Sequence, residues 1–361
     1  MTQIGVAVIG TGFGQKVHIP GLQAHHKTKV VAVWNRDHTK AQRVADEHGI
    51  SFASDRLSEI LTQDSVQAVT LPSPPFLHYD MAREIIQAGK HLLIEKPLTL
   101  SVDEAKTLQQ MATDKGIIAI PDFEFRFIPE WQHFAELLNQ NIIGKKRLIK
   151  IDWLASSRAN PQRAWNWYAQ KELGGGALGS IGSHTFDYVN WLFGPAKSIS
   201  AKLSTSITER PDPKTGEMKP VDSDDVGAIA LTLSDDTLCQ ITLSAVSYAG
   251  RGHWIEVYGE KGTLVLGNPS QSDYVNGFKI YQSQAGSELT EISTPERLAF
   301  PKLYSDGRTA PFVRVVDHWV KCIESGTATA PSMAEGVYSQ LLVDLTHQSS
   351  DNNTQLSIPA L

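Results

Sequence analysis

Short, nearly uninterrupted apolar runs punctuate the first third of the chain: Ile4–Ile9, 30–34, 66–71, His91–Ile94 and 117–120. Runs this short and β-branched, bounded by glycine or charge, predict strands buried on both faces. Between them lie segments with helical spacing. One follows a glycine turn and runs to about Ala24; the others are 39–49, 81–88 before Gly89, and Val102–Lys115. This alternation predicts a parallel, doubly wound sheet with helices on both faces.

The pattern changes after about Pro121. A helical stretch at 130–138 is followed by strand-like runs at 147–154, Val226–Leu233, 238–245, 254–258, 263–266 and 278–281. Asp235-Asp236 and Glu260-Lys261-Gly262 suit hairpin turns between them. Strands in succession without helices predict a large, mostly antiparallel open sheet in an α+β domain. Segment 209–225, with three prolines and many charges, is predicted to be an exposed loop. Helices at 312–323 and 333–347 close the chain. The expected division is 1–122 for the first domain and 123–361 for the second, with the last helices near the domain interface.

Length supports that division, since 361 residues exceed what one core usually holds. The formal net charge of -6, with Lys145-Lys146-Arg147 the only tight basic cluster, argues against a nucleic-acid binder. Cys239 and Cys322 lie far apart without metal-ligand spacing, so no metal is expected and a reduced, cytoplasmic compartment is. Met1-Thr2-Gln3 leads straight into an apolar run, with no basic segment or cleavage site of a signal peptide. No run approaches the ~18 residues of a membrane span.

The chemistry begins at Gly10-Thr11-Gly12-Phe13-Gly14-Gln15, which directly follows the first strand and opens the first helix. The first glycine permits a tight turn, and the second lets backbone amides approach a pyrophosphate. The helix start then stabilises the negative charge. The usual third glycine or alanine is displaced: Gln15 holds its place and Gly14 precedes it. An acidic residue at the tip of the second strand would bind the adenosine ribose 2′-hydroxyl. Here that tip reads Trp34-Asn35-Arg36, and Asp37 is expected to begin the next helix. Arg36 can pair with a 2′-phosphate, so NADP(H) is predicted in preference to NAD(H), which stays possible; a solvated surface arginine is the bland alternative.

Pro72-Ser73-Pro74-Pro75-Phe76-Leu77-His78, Glu95-Lys96-Pro97 and the stretch from Gly174 to Asp187 extend the pattern. Together with the glycine turn they resemble the glucose–fructose oxidoreductase/inositol dehydrogenase (Gfo/Idh/MocA) family over nearly the whole chain. The resemblance implies a Rossmann domain and a C-terminal domain whose open sheet often forms the oligomer interface, here a dimer or tetramer. It also implies hydride chemistry on sugars, cyclitols or related carbonyl compounds.

Lys96 follows a strand's carboxyl end, where ligands of open α/β sheets bind. Partly desolvated beside a cationic nicotinamide, its ammonium would be disfavoured, and it could accept an alcohol proton or polarise a carbonyl oxygen. The resemblance gives Lys96 that role; a surface lysine paired with Glu95 is the alternative. It makes His184 the second acid/base group, with Asp187 one turn on to orient its ring or to pair elsewhere. It also places Ser73, Pro74 and His78 along the nicotinamide and ribose, and Trp167 near the cofactor. Trp165 belongs to an aromatic segment that is either a pocket wall or a packed loop. Inositol dehydrogenases carry an aspartate four residues before the histidine, whereas this chain has Ser180, a hydroxyl that binds substrate but is no base near neutral pH.

The leading expectation is an NADP(H)-dependent oxidoreductase for a sugar, sugar derivative or related polyol. A non-catalytic NADP(H)-binding regulator of the same fold and an NAD-dependent glycosidase are the alternatives. Retention of Lys96 and His184 argues against the first, and Asn35-Arg36 against the second.

Overall fold

The computed structural model describes residues 3–270, 273 and 275–360. Met1 and Thr2, on which the absence of a signal peptide was partly read, lie outside the described residues, as does Leu361. The chain divides into two compact units, Met1–Phe127 with Lys302–Gln340, and Ile128–Pro301 with Leu341–Leu361.

In the first unit, β1 (Ile4–Ile9) is buried along all but its first residue, as a central strand of a covered sheet must be. Beside it lie β2 (Thr28–Trp34), β3 (Phe52–Ser54), β4 (Ala68–Leu71), β5 (His91–Ile94) and β6 (Ala119–Pro121). The order is β3-β2-β1-β4-β5-β6, every pair parallel, so the winding reverses between β1 and β4. Crevices at such reversals bind ligands. β3 escaped the sequence pattern because it has only three residues, two of them half-buried.

The crossovers carry α1 (Ile19–Ala24), α2 (His38–His48), α3 (Leu57–Leu61), α4 (His78–Gln87) and α5 (Val102–Lys115). Their ends follow local chemistry. Asp37 caps α2 by accepting from Lys40 N, and Gly49 closes it with φ 65°. Ser101 accepts from Glu104 N while Glu104 reaches back to Leu100 N, a reciprocal cap on α5. One apolar face of the sheet packs on α4 and α5, and the other on α1 and helix Thr309–Ser325 through Phe312, Val315 and Trp319.

The second unit is α+β. After α6 (Pro129–Asn139) come β7 (Lys146–Leu154), α7 (Ser183–Phe193), β8 (Ala196–Ser204), β9 (Glu209–Pro211) and β10 (Met218–Pro220). Then follow β11 (Val226–Leu233), β12 (Leu238–Ser244), β13 (Gly252–Gly259), β14 (Gly262–Asn268), β15 (Lys279–Gln284), β16 (Thr290–Ile292) and β17 (Leu356–Ser357). Nine of these strands form one sheet, ordered β16-β15-β14-β13-β7-β12-β11-β8-β17, in which β12–β7 is the parallel pair and all others are antiparallel. Burial alternates along β11, the mark of a sheet with one face on the core.

Segment 209–225 is not simply an exposed loop. It carries the β9–β10 ribbon, and Arg210, Asp224 and Asp225 within it are buried. Arg210 is drawn inward by the carbonyls of Arg158 and Asn160, long-range partners that local composition does not announce. Among the described residues, no helix is long and apolar enough to cross a membrane.

Candidate active site

The glycine turn leaves β1 at its carboxyl end. A Cβ on Gly10 would lie 3.1 Å from the Pro72 carbonyl oxygen, whereas one on Gly12 would meet nothing within 4 Å. The turn therefore presses against β4's exit on one side and is open on the other. Gly14 performs the close-packing role of the displaced third glycine. A Cβ there would stand 2.8 Å from Pro72 Cγ and 2.9 Å from Val8 Cγ1. A π-helical turn, Gly14–His18, follows before α1 begins.

At the tip of β2, Asn35 Nδ2 donates to Thr11 Oγ1 at 2.5 Å, tying the strand end to the glycine turn. Asn35 Oδ1 accepts from Asp37 N at 2.9 Å. Arg36 is exposed, and the Asp37 carboxylate stands one residue away at the start of α2.

Beyond β4, His78 is fully buried, with Nε2 2.8 Å from Ser73 O and Nδ1 3.0 Å from Pro97 O. Burial holds this imidazole below its usual pKa, against the two carbonyls. The ring is clamped between the Ser73 turn and the Glu95-Lys96-Pro97 segment, and as a neutral imidazole it donates to one of the two carbonyls. Ser73 Oγ is buried and has no hydrogen-bond partner among the described residues. An orphaned hydroxyl beside an open glycine turn fits a bound dinucleotide, which would satisfy it. Lys96 is half-buried directly beyond β5, and its N–H donates to Glu95 Oε2 at 3.2 Å.

Sequence reasoning missed what stands behind Lys96. His18, from the π-helical turn, lies with Nε2 3.1 Å from Glu95 Oε1 and 3.9 Å from Asp122 Oδ2. All three side chains are buried. Burial pushes Glu95 upward, but the His18 hydrogen bond and the Lys96 and His18 charges outweigh it and hold Glu95 at about 2. Asp122 is pushed well above the carboxylate range by burial, and then by the charges of Glu95 and Glu124. The two carboxyls are thus pushed apart, Glu95 toward its ionised form and Asp122 toward its protonated one. The three offer ligand atoms within 4.8 Å of one another. A cation there would have to displace the His18–Glu95 hydrogen bond. The spacing of His18, Glu95 and Asp122 in sequence has no motif that could have announced the cluster.

In the second unit, residues 174–187 turn back on the Trp165–Gln170 segment. Gly176, with φ 103°, has no room for a side chain: a Cβ would lie 2.5 Å from Asp224 Oδ1. Asp224 Oδ2 accepts from Leu178 N at 2.7 Å, and burial raises this carboxyl to about 6. Ser180 Oγ donates to Gly176 O at 2.9 Å and lies 3.0 Å from Tyr168 Oη. With its one proton committed, Ser180 accepts from Tyr168. His184 and Asp187 are both buried on α7, and Trp153 lies 6.3 Å from the His184 ring. Trp165 is held at the β9–β10 ribbon, its indole N–H donating to Pro220 O at 2.9 Å with Lys219 over its ring. Trp167, half-buried, packs edge-on against Tyr168.

Two family models match the chain. "Oxidoreductase family, NAD-binding Rossmann fold" covers residues 4–123, and "Oxidoreductase family, C-terminal alpha/beta domain" covers 135–358. An uncharacterised oxidoreductase of Synechocystis is 54% identical over 99% of this chain and 96% of its own length. Levoglucosan dehydrogenase of Pseudarthrobacter phenanthrenivorans is 24% identical, with each chain covered in full. A levoglucosan dehydrogenase structure with NADH and levoglucosan superposes with a TM-score of 0.89 at 22% identity, over 99% of this chain and 100% of that one.

These comparisons correct the cofactor expectation. Structures of levoglucosan dehydrogenase hold NADH, alone, with levoglucosan and with L-sorbose. The preference for NADP(H) had rested on Arg36. In the fold that side chain is exposed, and the adjacent Asp37 carboxylate would repel a 2′-phosphate.

Proposed function

Because the chain belongs to the Gfo/Idh/MocA family and is a pyridine-nucleotide-dependent oxidoreductase, we propose that it moves hydride between NAD(H) and a sugar, sugar derivative or related polyol. One observation carries this reading. The His78 clamp joins a turn bearing an unsatisfied buried hydroxyl, Ser73, to the Lys96-Pro97 peptide at the carboxyl end of β5.

Gly10, Thr11, Gly12, Phe13 and Gly14 receive the pyrophosphate at the helix start, where backbone N–H groups face the anion. Asn35 and Arg36 border the adenosine ribose. Ser73, Pro74, His78 and Glu95 line the nicotinamide half. Bound nicotinamide supplies or accepts the hydride. Lys96 accepts the hydroxyl proton during oxidation, or polarises the carbonyl oxygen during reduction. The Lys96 backbone N–H donates to the Glu95 carboxylate, which His18 anchors from its other oxygen. His184 is the second proton-handling group, with Asp187 on the same helix. Ser180 hydrogen-bonds substrate without acting as a base.

The test is calorimetric titration of the full chain with NAD+ and NADP+, then a panel of sugars and polyols followed by nicotinamide absorbance. Tighter binding of NAD+ and its reduction by at least one panel member are expected. Failure to bind either nucleotide would overturn the reading.

A further inference from the structure

Three guanidinium groups converge on one turn of the second unit, residues 157–160. Arg163 Nη1 donates to Ser157 O at 2.8 Å, and Arg210 donates to Arg158 O at 2.6 Å and to Asn160 O at 2.8 Å. Arg158 itself lies over Tyr168, its guanidinium carbon 3.8 Å from the ring centroid. Among the described residues, none of the three has a carboxylate within ion-pair distance. Asp225, whose charge reaches Arg210, spends its oxygens on the N–H groups of Ser206 and Ile207.

Such an arrangement is unfavourable by itself. Arg210 is buried and Arg158 half-buried, and like charges repel at this range. Burial, followed by the charges of its arginine neighbours, pulls Arg158 below its usual pKa despite Tyr168. Backbone carbonyls satisfy Arg210 without adding charge, and the carboxylate that acts on it, Asp225, does not offset three cations. An anion would supply that charge, and a planar guanidinium held on an aromatic face presents its edge for carboxylate or phosphate oxygens.

The location gives the anion a purpose. Tyr168, the ring under Arg158, donates to Ser180, which stands four residues before His184. We propose that Arg158 and Arg163, braced by Arg210, form an anion subsite beside Ser180, so that the substrate is a sugar bearing a carboxylate or a phosphate. This rests on the reading that places substrate at Ser180 and His184. It narrows that substrate from sugars at large to anionic ones.

The experiment titrates the full chain, with and without NAD+, against glucose, galactose and mannose and against the uronate and 6-phosphate of each, at constant ionic strength. At least one anionic sugar is expected to bind about tenfold or more tightly than its neutral parent. Uronate or phosphate preference then identifies which anion the subsite takes. Arg163→Gln, at an exposed position, removes that preference and leaves neutral-sugar and NAD+ affinities unchanged; Arg158→Gln does the same if circular dichroism shows it folded. Neutral parents binding as well as every anion would overturn the proposal. So would binding of no anion, or a preference that survives Arg163→Gln. Loss of NAD+ binding counts separately, against the dehydrogenase reading.

Discussion

His18 Nε2 lies 3.1 Å from Glu95 Oε1, although 77 residues separate them, and neither group reaches bulk solvent appreciably. The bond anchors the carboxylate immediately before Lys96. His18→Ala leaves that buried charge with a missing partner and should destabilise the chain by about 2–3 kcal/mol. Urea unfolding followed by circular dichroism measures it; a loss within experimental error would show that Glu95 does not depend on His18.

Gly12 and Gly14 separate binding from packing. A methyl on Gly12 meets open space, so Gly12→Ala should keep stability within about 0.5 kcal/mol while weakening NAD+ by about tenfold or more. Gly14→Ala forces the methyl into Pro72 and Val8, and should cost about 1–3 kcal/mol of stability. Equal effects of both variants on stability would contradict this division.

Lys96→Met should lower turnover by about 100-fold or more, the range of a lost proton-transfer group, while NAD+ affinity changes little. The readouts are steady-state rate with the best panel sugar and calorimetry with NAD+. Full activity in the variant would remove Lys96 from the chemistry.

Asp224 makes stability depend on pH in a defined sense. Its folded pKa, about 6, lies above the unfolded carboxyl, so the folded chain holds the extra proton between the two values. Stability from this group is full below about pH 4 and falls as pH rises through about 6, by up to about 3 kcal/mol for a shift of two units. In Asp224→Asn the side-chain oxygen still accepts from Leu178 N, and this decline disappears. Parallel wild-type and variant stability profiles from pH 4 to about 7 would refute the assignment.

Local pattern announced much of the fold. Apolar runs located β1, β2, β4 and β5, and α5 was legible to its ends because Ser101, Glu104 and Gly116 terminate it by local bonds. Repeated strands without helices likewise announced the antiparallel sheet. β3 and β16, each three residues long, and the β9–β10 ribbon were not legible, since neither period nor length distinguishes so few residues from a loop.

At the site, the chain itself determined which residue types stand where strands end: the glycine turn, Ser73, the Glu95-Lys96 pair, and Ser180 before His184. Those are contiguous motifs, whose chemistry follows from neighbours in sequence. Only the tertiary structure decided what surrounds them. It put His18 and Asp122 behind Glu95, left Ser73 Oγ without a partner, and made Gly14 rather than its neighbour the packing glycine. It also gathered Arg158, Arg163 and Arg210 around one turn. Charge placement and desolvation depend on contacts between residues tens of positions apart, and no periodicity along the chain encodes those distances.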